Sequence, residues 1–329
     1  MKITRRQYLA WLAAGLARPV IPRTDLEQQW RDIASQIDGT VGAAAFHLTH
    51  GTFVSLNGGE KCPLASVCKL PIAMHILAMV DDGKLHLNDV IDIPPQAVWT
   101  GVSVIADHWP SVKRYTLDEV LALMVAKSDN TAVEMMWRIG GGAVAIANRF
   151  RQWKLDGIRL DRSERECGLN SAGITQIPKW EEWTPTLLTE LTSKMSATAR
   201  YTAMRAFIAD PRDTATPNAT VELLKRAFRG ELLSPDSTSR LIQILESTTT
   251  GAARLKGLLP TGTTVAHKTG TTDTQRNLNA GTNDVGVITL PDGGRVVIAV
   301  YVKGSTRKVE VREKVIARIA RATFDAWKV

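Results

Sequence analysis

The sequence predicts an α/β fold of the α+β kind: an antiparallel sheet flanked by helices, built from both ends of the chain, plus an all-α lobe between them. Three observations predict it. Runs with strand character fall near the two ends. The middle carries helical periodicity with capping and glycine stop signals. Short polar turns join successive strands as hairpins. Residues 24–60 and 218–329 are therefore expected to form one discontinuous α/β lobe, and 61–217 the all-α lobe.

Taken in order, Thr24-Asp25-Leu26-Glu27 has the capping-box pattern and opens an amphipathic helix to about Ile37, with Leu26, Trp30, Ile33 and Ile37 on one face. Residues 41–48 read as a strand, His50-Gly51 as a turn and 52–56 as the returning strand, which Asn57-Gly58-Gly59 ends. A helix starts at Ser66 and runs to about Val80 before Gly83 stops it; Pro71 suits it only near the start. Thr116-Leu117-Asp118-Glu119 is a second capping box, opening a helix to about Lys127. Ser128-Asp129-Asn130 breaks that pattern, residues 131–139 resume it, and Gly140-Gly141-Gly142 terminates it. Residues 264–268, 284–290 and 295–302 read as strands, the last two joined through Pro291-Asp292-Gly293-Gly294. Residues 309–327 form a closing amphipathic helix.

At 329 residues and 44% hydrophobic, the chain can bury the core of one large domain or two intertwined lobes. Its formal net charge of +8 comes from scattered residues such as Arg149, Arg151, Arg159, Arg162, Arg165, Arg307 and Lys308. No basic run is interleaved with aromatics, which argues against a nucleic-acid partner. The histidines form no H-x-H or H-E-x-x-H pair, so neither a metal nor another cofactor is expected. Cys62, Cys68 and Cys167 allow at most one disulfide. At the N-terminus, Arg5-Arg6 precedes a short apolar stretch from Leu9 to Ala17, as in a twin-arginine export signal, with a Sec-type signal the alternative. Residues 1–23 are assigned to it. The stretch is too short to span a bilayer, so the mature chain is expected to be a soluble, exported monomer, periplasmic or secreted.

Three runs carry the chemistry: Ser66-Val67-Cys68-Lys69, Ser128-Asp129-Asn130 and Lys268-Thr269-Gly270. Each is weak alone. Together, in this order and in fitting local contexts, they supply a nucleophile, a base beside it, a proton shuttle and a cationic anchor, the requirements of acyl transfer through a serine ester. A serine hydroxyl needs a base within hydrogen-bond reach, and Lys69 lies one helical turn beyond Ser66 on the same face. The helix start aims backbone N–H groups toward an attacked carbonyl.

On these runs the chain resembles the class A serine β-lactamases, within the penicillin-recognising serine enzymes. The likeness extends through Leu160-Asp161-Arg162-Ser163-Glu164, Arg212-Asp213-Thr214-Ala215-Thr216-Pro217 and residues 251–270, and covers nearly all of the chain after residue 23. It implies a β-lactamase/transpeptidase-like fold and a small-molecule β-lactam substrate. It also implies an acyl-enzyme on Ser66 with an oxyanion hole from the backbone N–H groups of Ser66 and Thr271. Ser128 would protonate the departing lactam nitrogen. Asn130 would hold the substrate amide and orient Lys69. Lys268, Thr269 and Thr271 would face the substrate carboxylate, and Gly270 would leave room for an extended substrate. Arg254 matches a carboxylate-binding arginine of some members.

The resemblance also implies a glutamate that activates the deacylating water. Glu164 fits through its L-D-R-x-E context. Glu166 is the alternative, because Glu166 to Asn170 reproduces the spacing to a water-holding asparagine. Arg162 and Asp213 would close the Ω-loop by a salt bridge. That loop, about 160–217, is a few dozen residues longer than usual and contains Trp180, Trp183 and an amphipathic stretch over 187–209, read as an added helix over the cleft mouth or a lid. A D-alanyl-D-alanine peptidase or penicillin-binding protein, and a sensor that holds β-lactam without turnover, remain alternatives.

Overall fold

The computed structural model describes residues 23–99 and 101–328; all of the expected export signal except Arg23, including its paired arginines, lies outside the described residues. Helix α1 (Arg23–Ala34) leads into the hairpin β1 (Thr40–His47) and β2 (Phe53–Leu56). The short strand β3 (Cys62–Pro63) and a 3₁₀ turn (Ala65–Cys68) deliver the chain to α2 (Lys69–Asp81). Then come β4 (Val90–Asp92), α3 (Val104–His108), β5 (Arg114–Thr116), α4 (Leu117–Ala126), α5 (Asn130–Ile139) and α6 (Gly142–Trp153). The long Ω segment holds α7 (Glu164–Ser171), α8 (Leu187–Ser193) and α9 (Ala197–Ala209) before β6 (Thr214–Ala215). After α10 (Pro217–Phe228) and α11 (Pro235–Glu246) the chain returns to strands β7 (Val265–Thr271), β8 (Thr274–Gln275), β9 (Leu278–Thr289) and β10 (Arg295–Ser305), and closes with α12 (Val309–Trp327).

One six-stranded antiparallel sheet has the order β2-β1-β10-β9-β7, with β8 paired to β9. The N-terminal hairpin pairs with the last strand, Ala44 opposite Ala299, so both chain ends share one sheet. Side chains alternate between two cores. Val41, Ala43, Val296, Ile298, Val300 and Val302 pack with Trp30, Ile316, Phe324 and Trp327 of the flanking helices. Ala44, Val297, Ala299 and Tyr301 point the other way, into the core of the helical lobe. Burial on both faces is why residues 295–302 read as a near-continuous apolar run.

Helix α2 is the centre of the helical lobe. Every residue from Lys69 to Ala78 is buried, as an all-round apolar helix requires. Pro71 is its third residue, where no intrahelical N–H bond is lost. The Thr116 capping box forms as expected: Thr116 accepts from the Glu119 N–H at 3.2 Å, and Glu119 accepts from the Thr116 N–H at 2.7 Å.

The middle of the chain is not purely helical. β3 pairs with β6 where the chain enters and leaves the lobe, and β4 pairs with β5. Strands of two or three residues are too short to leave a period-two pattern. Helices α6, α10 and α11 also escaped the sequence reading. Two of them carried a signal: Thr216 and Ser234 cap α10 and α11, each followed by proline at the first helical position.

Candidate active site

Ser66 is the second residue of the 3₁₀ turn, where a backbone N–H has no partner within the helix. Lys69 opens α2, is fully buried, and reaches back. Its Nζ lies 3.0 Å from Ser66 Oγ, 2.8 Å from the Ser128 carbonyl, 3.3 Å from Ser128 Oγ and 2.6 Å from Asn130 Oδ1. Ser128 has a left-handed backbone, φ +59°. That conformation breaks the helix between α4 and α5 and brings its carbonyl and hydroxyl to the same amine. Asp129 fixes the turn as the cap of α5: it accepts from the Ala132 N–H, the Ile105 N–H and the Ser103 hydroxyl, at 2.8–3.0 Å.

Lys268 comes from the edge strand β7. Its Nζ donates to Ser128 Oγ at 3.0 Å and to the Thr269 carbonyl at 2.9 Å. The Ser128 hydroxyl therefore sits between two buried lysines. Burial, with the Lys69 charge added, pushes Lys268 down to about 7 from the usual lysine value of 10.5. Two residues shape the setting of this strand. A Cβ on Gly270 would meet the Leu64 carbonyl at 2.6 Å and the Val67 N at 3.0 Å, so this glycine lets β7 lie against the Ser66 turn itself. Arg254 is buried, and its guanidinium is taken up by partners within the protein. It donates to Glu313 at 3.0 Å, to the Gly270 and Asn283 carbonyls at 3.0 and 2.9 Å, and to Thr271 Oγ1 at 2.5 Å. Its fork holds β7 and orients the Thr271 hydroxyl. Asn283, which sequence reasoning missed, completes this seam by donating to the Pro63 and Leu64 carbonyls at 2.8 and 3.1 Å.

The two glutamates part at the start of α7. Ser163 caps the helix and Glu166, its third residue, closes a capping box by accepting from the Ser163 N–H at 2.6 Å. Glu166 faces a recess lined by Trp137, Arg138, Trp180 and Trp183. Glu164 is the first residue of α7 and lines the cavity that contains Ser66, with Cys68 Sγ 3.7 Å from its carboxylate. Asn170 does not line that cavity: its amide accepts from Arg162 at 2.8 Å and donates to the Ile174 carbonyl at 3.0 Å. Arg162 also pairs with Asp213 at 2.5 Å and Asp210 at 3.3 Å, joining the two ends of the Ω segment. The three cysteines are free thiols, and burial raises all three above the ordinary thiol range.

Ser66, Asn130, Glu164 and Thr271 share one cavity of about 230 Å³, walled also by Trp99, Trp137 and Phe207. Phe207 comes from α9, which packs on β9, β8 and α7. The segment between α7 and β6 thus lines one flank of the cavity as well as backing the helix that carries Glu164. Among the described residues no cluster of metal-binding side chains occurs, and no helix is long and apolar enough to cross a membrane.

A sequence profile of the beta-lactamase enzyme family matches residues 25–327. The β-lactamase VEB-1 of Pseudomonas aeruginosa is 30% identical over 290 residues, 87% of this chain and 85% of that protein. The extended-spectrum β-lactamase PER-1 of the same species is 30% identical over 307 residues, 91% and 86% of the two chains. Among solved structures, a β-lactamase from Chitinophaga pinensis superposes with a TM-score of 0.77 at 33% identity, over 92% of this chain and 98% of that one.

Proposed function

This chain belongs to the beta-lactamase enzyme family and is a serine β-lactamase of class A, a hydrolase acting on β-lactams, and from that premise we propose how its residues divide the reaction. The observation that carries the proposal is the Lys69 amine, within hydrogen-bond reach of Ser66, Ser128 and Asn130 at once. Ser66 Oγ attacks the lactam carbonyl as Lys69, acting as the unprotonated amine, takes its proton and becomes an ammonium. The developing oxyanion is received by the N–H groups of Ser66 and Thr271. Ser128, recharged by Lys69, protonates the departing lactam nitrogen. Glu164 then takes a proton from water, whose oxygen attacks the ester carbon; the bond from that carbon to Ser66 Oγ breaks, and the proton held by Glu164 returns to Ser66, which restores both groups. Asn130 holds the substrate amide, and Lys268 with Thr269 and Thr271 receives its carboxylate. Arg162 and Asp213 keep the Ω segment closed.

Mixing the purified mature chain with a chromogenic cephalosporin tests this reading. Turnover should continue far beyond one equivalent, with no lasting mass adduct. A single burst that stops at one adduct per chain would favour a penicillin-binding protein or a sensor. The pH profile adds a second check. Free Lys268 is cationic below about 7. For a carboxylate-bearing substrate kcat/KM should therefore fall as pH rises past that point, while kcat, read with the anion already beside the lysine, holds to higher pH. A kcat/KM that stays flat right through the ordinary lysine range, where the amine has lost its charge, contradicts the anchor role. Export through residues 1–23 and action as a monomer belong to the same proposal; the first is supported by Arg5-Arg6 before a short apolar stretch.

A further inference from the structure

Arg165 follows Glu164 directly and takes no part in the steps above, yet it is buried, 3% exposed. Its backbone N–H donates to Glu134 of α5 at 2.9 Å. Its guanidinium donates to the Val98 carbonyl at 2.8 Å and to the Gln96 carbonyl. The same guanidinium lies 4.5 Å from the ring centre of Trp183, in the long insertion. Burial lowers the Arg165 pKa, and the Glu134 carboxylate opposes that shift. Trp183 is itself buried, and a void of only about 10 Å³ remains among Val98, Trp99, Arg165, Trp183 and Leu188. Three residues earlier, Trp180 lies under Arg138 of α5 at 3.7 Å. The insertion is therefore fastened to α5 by one arginine–tryptophan stack and to the first turn of α7 by another.

We infer that Arg165 and Trp183 are positioning residues for Glu164, so that the insertion acts as a brace for deacylation. This rests on Glu164 being the deacylating base. The physical reason is local. The first turn of a helix has few bonds of its own. Here it is held by the Glu134 acceptor, the two carbonyls that grip Arg165, and the tryptophan face that keeps the guanidinium out of water. Removing that face opens a path to solvent for Arg165, and its neighbour Glu164 loses its fixed direction. Ser66, Lys69 and Ser128 lie on other elements, so acylation is untouched.

The test compares Trp183→Leu, which keeps much of the volume but has no π face, with Trp183→Phe, which restores one. Acylation and deacylation rates are read separately by rapid quench and intact mass. Trp183→Leu should acylate within about twofold of the native rate and deacylate roughly 10- to 100-fold more slowly, as a small misplacement of a reacting group does. Trp183→Phe should recover most of the loss. In a Glu164→Gln background, Trp183→Leu should add no further slowing. Unchanged deacylation in Trp183→Leu, equal slowing of both steps, or no recovery with phenylalanine would overturn the brace. If Glu164→Gln fails to trap the acyl-enzyme, the base assignment fails and takes the brace with it. If Glu164→Gln traps and Trp183→Leu does not slow release, the brace alone fails.

Discussion

Ser66→Ala should lose β-lactam hydrolysis by at least about 10⁴-fold, with no mass adduct at any time. The hydroxyl is the only group that forms the ester in this account. Without it, Lys69 keeps Ser128 and Asn130 as partners, at 2.6–3.3 Å. The fold should therefore survive: the turn is held independently by Asn283 on the Pro63 and Leu64 carbonyls and by the close approach of Gly270. An unchanged melting temperature beside lost turnover is the expected pair of results. Residual hydrolysis near the native rate would remove the serine mechanism.

Glu164→Gln should separate the two halves of the reaction. Acylation draws on Ser66, Lys69 and Ser128, so the adduct should form at close to the native rate. Its release should slow by about 10³-fold, the scale of a lost general base. Glu166→Gln is the control with the opposite expectation. Glu166 closes the capping box of α7 and faces away from the Ser66 cavity. Glutamine can still accept from the Ser163 N–H, so the variant should lose only the charge at the helix start, about 0.5 kcal/mol, and leave turnover within a few-fold. Trapping by Glu166→Gln alone would reverse the assignment.

Much of the fold was legible because its signals are local. The end strands announce themselves by β-branched runs and polar turns, and α4 by a capping box that forms as written. The meeting of Ser66 with Lys69 is equally local, a separation of three residues. The choice between the glutamates was also present in the sequence, as the S-x-x-E signature of Ser163 and Glu166, which assigns Glu166 to the cap. Other features depend on which distant group claims a side chain. Arg254 has the right type and position for a carboxylate ligand, but Glu313, Gly270, Asn283 and Thr271 occupy its fork. Asn170 has the right spacing, but Arg162 and Ile174 hold its amide. Glu134, Arg165 and Trp183 are separated in sequence and gain meaning only where α5, α7 and the insertion meet.

The most direct test is to incubate Glu164→Gln with a penicillin, quench, digest and locate the adduct by peptide mass. The account predicts one ester per chain, on the peptide containing Ser66 and on that residue. An adduct on another residue, or none while the substrate is consumed, would contradict it.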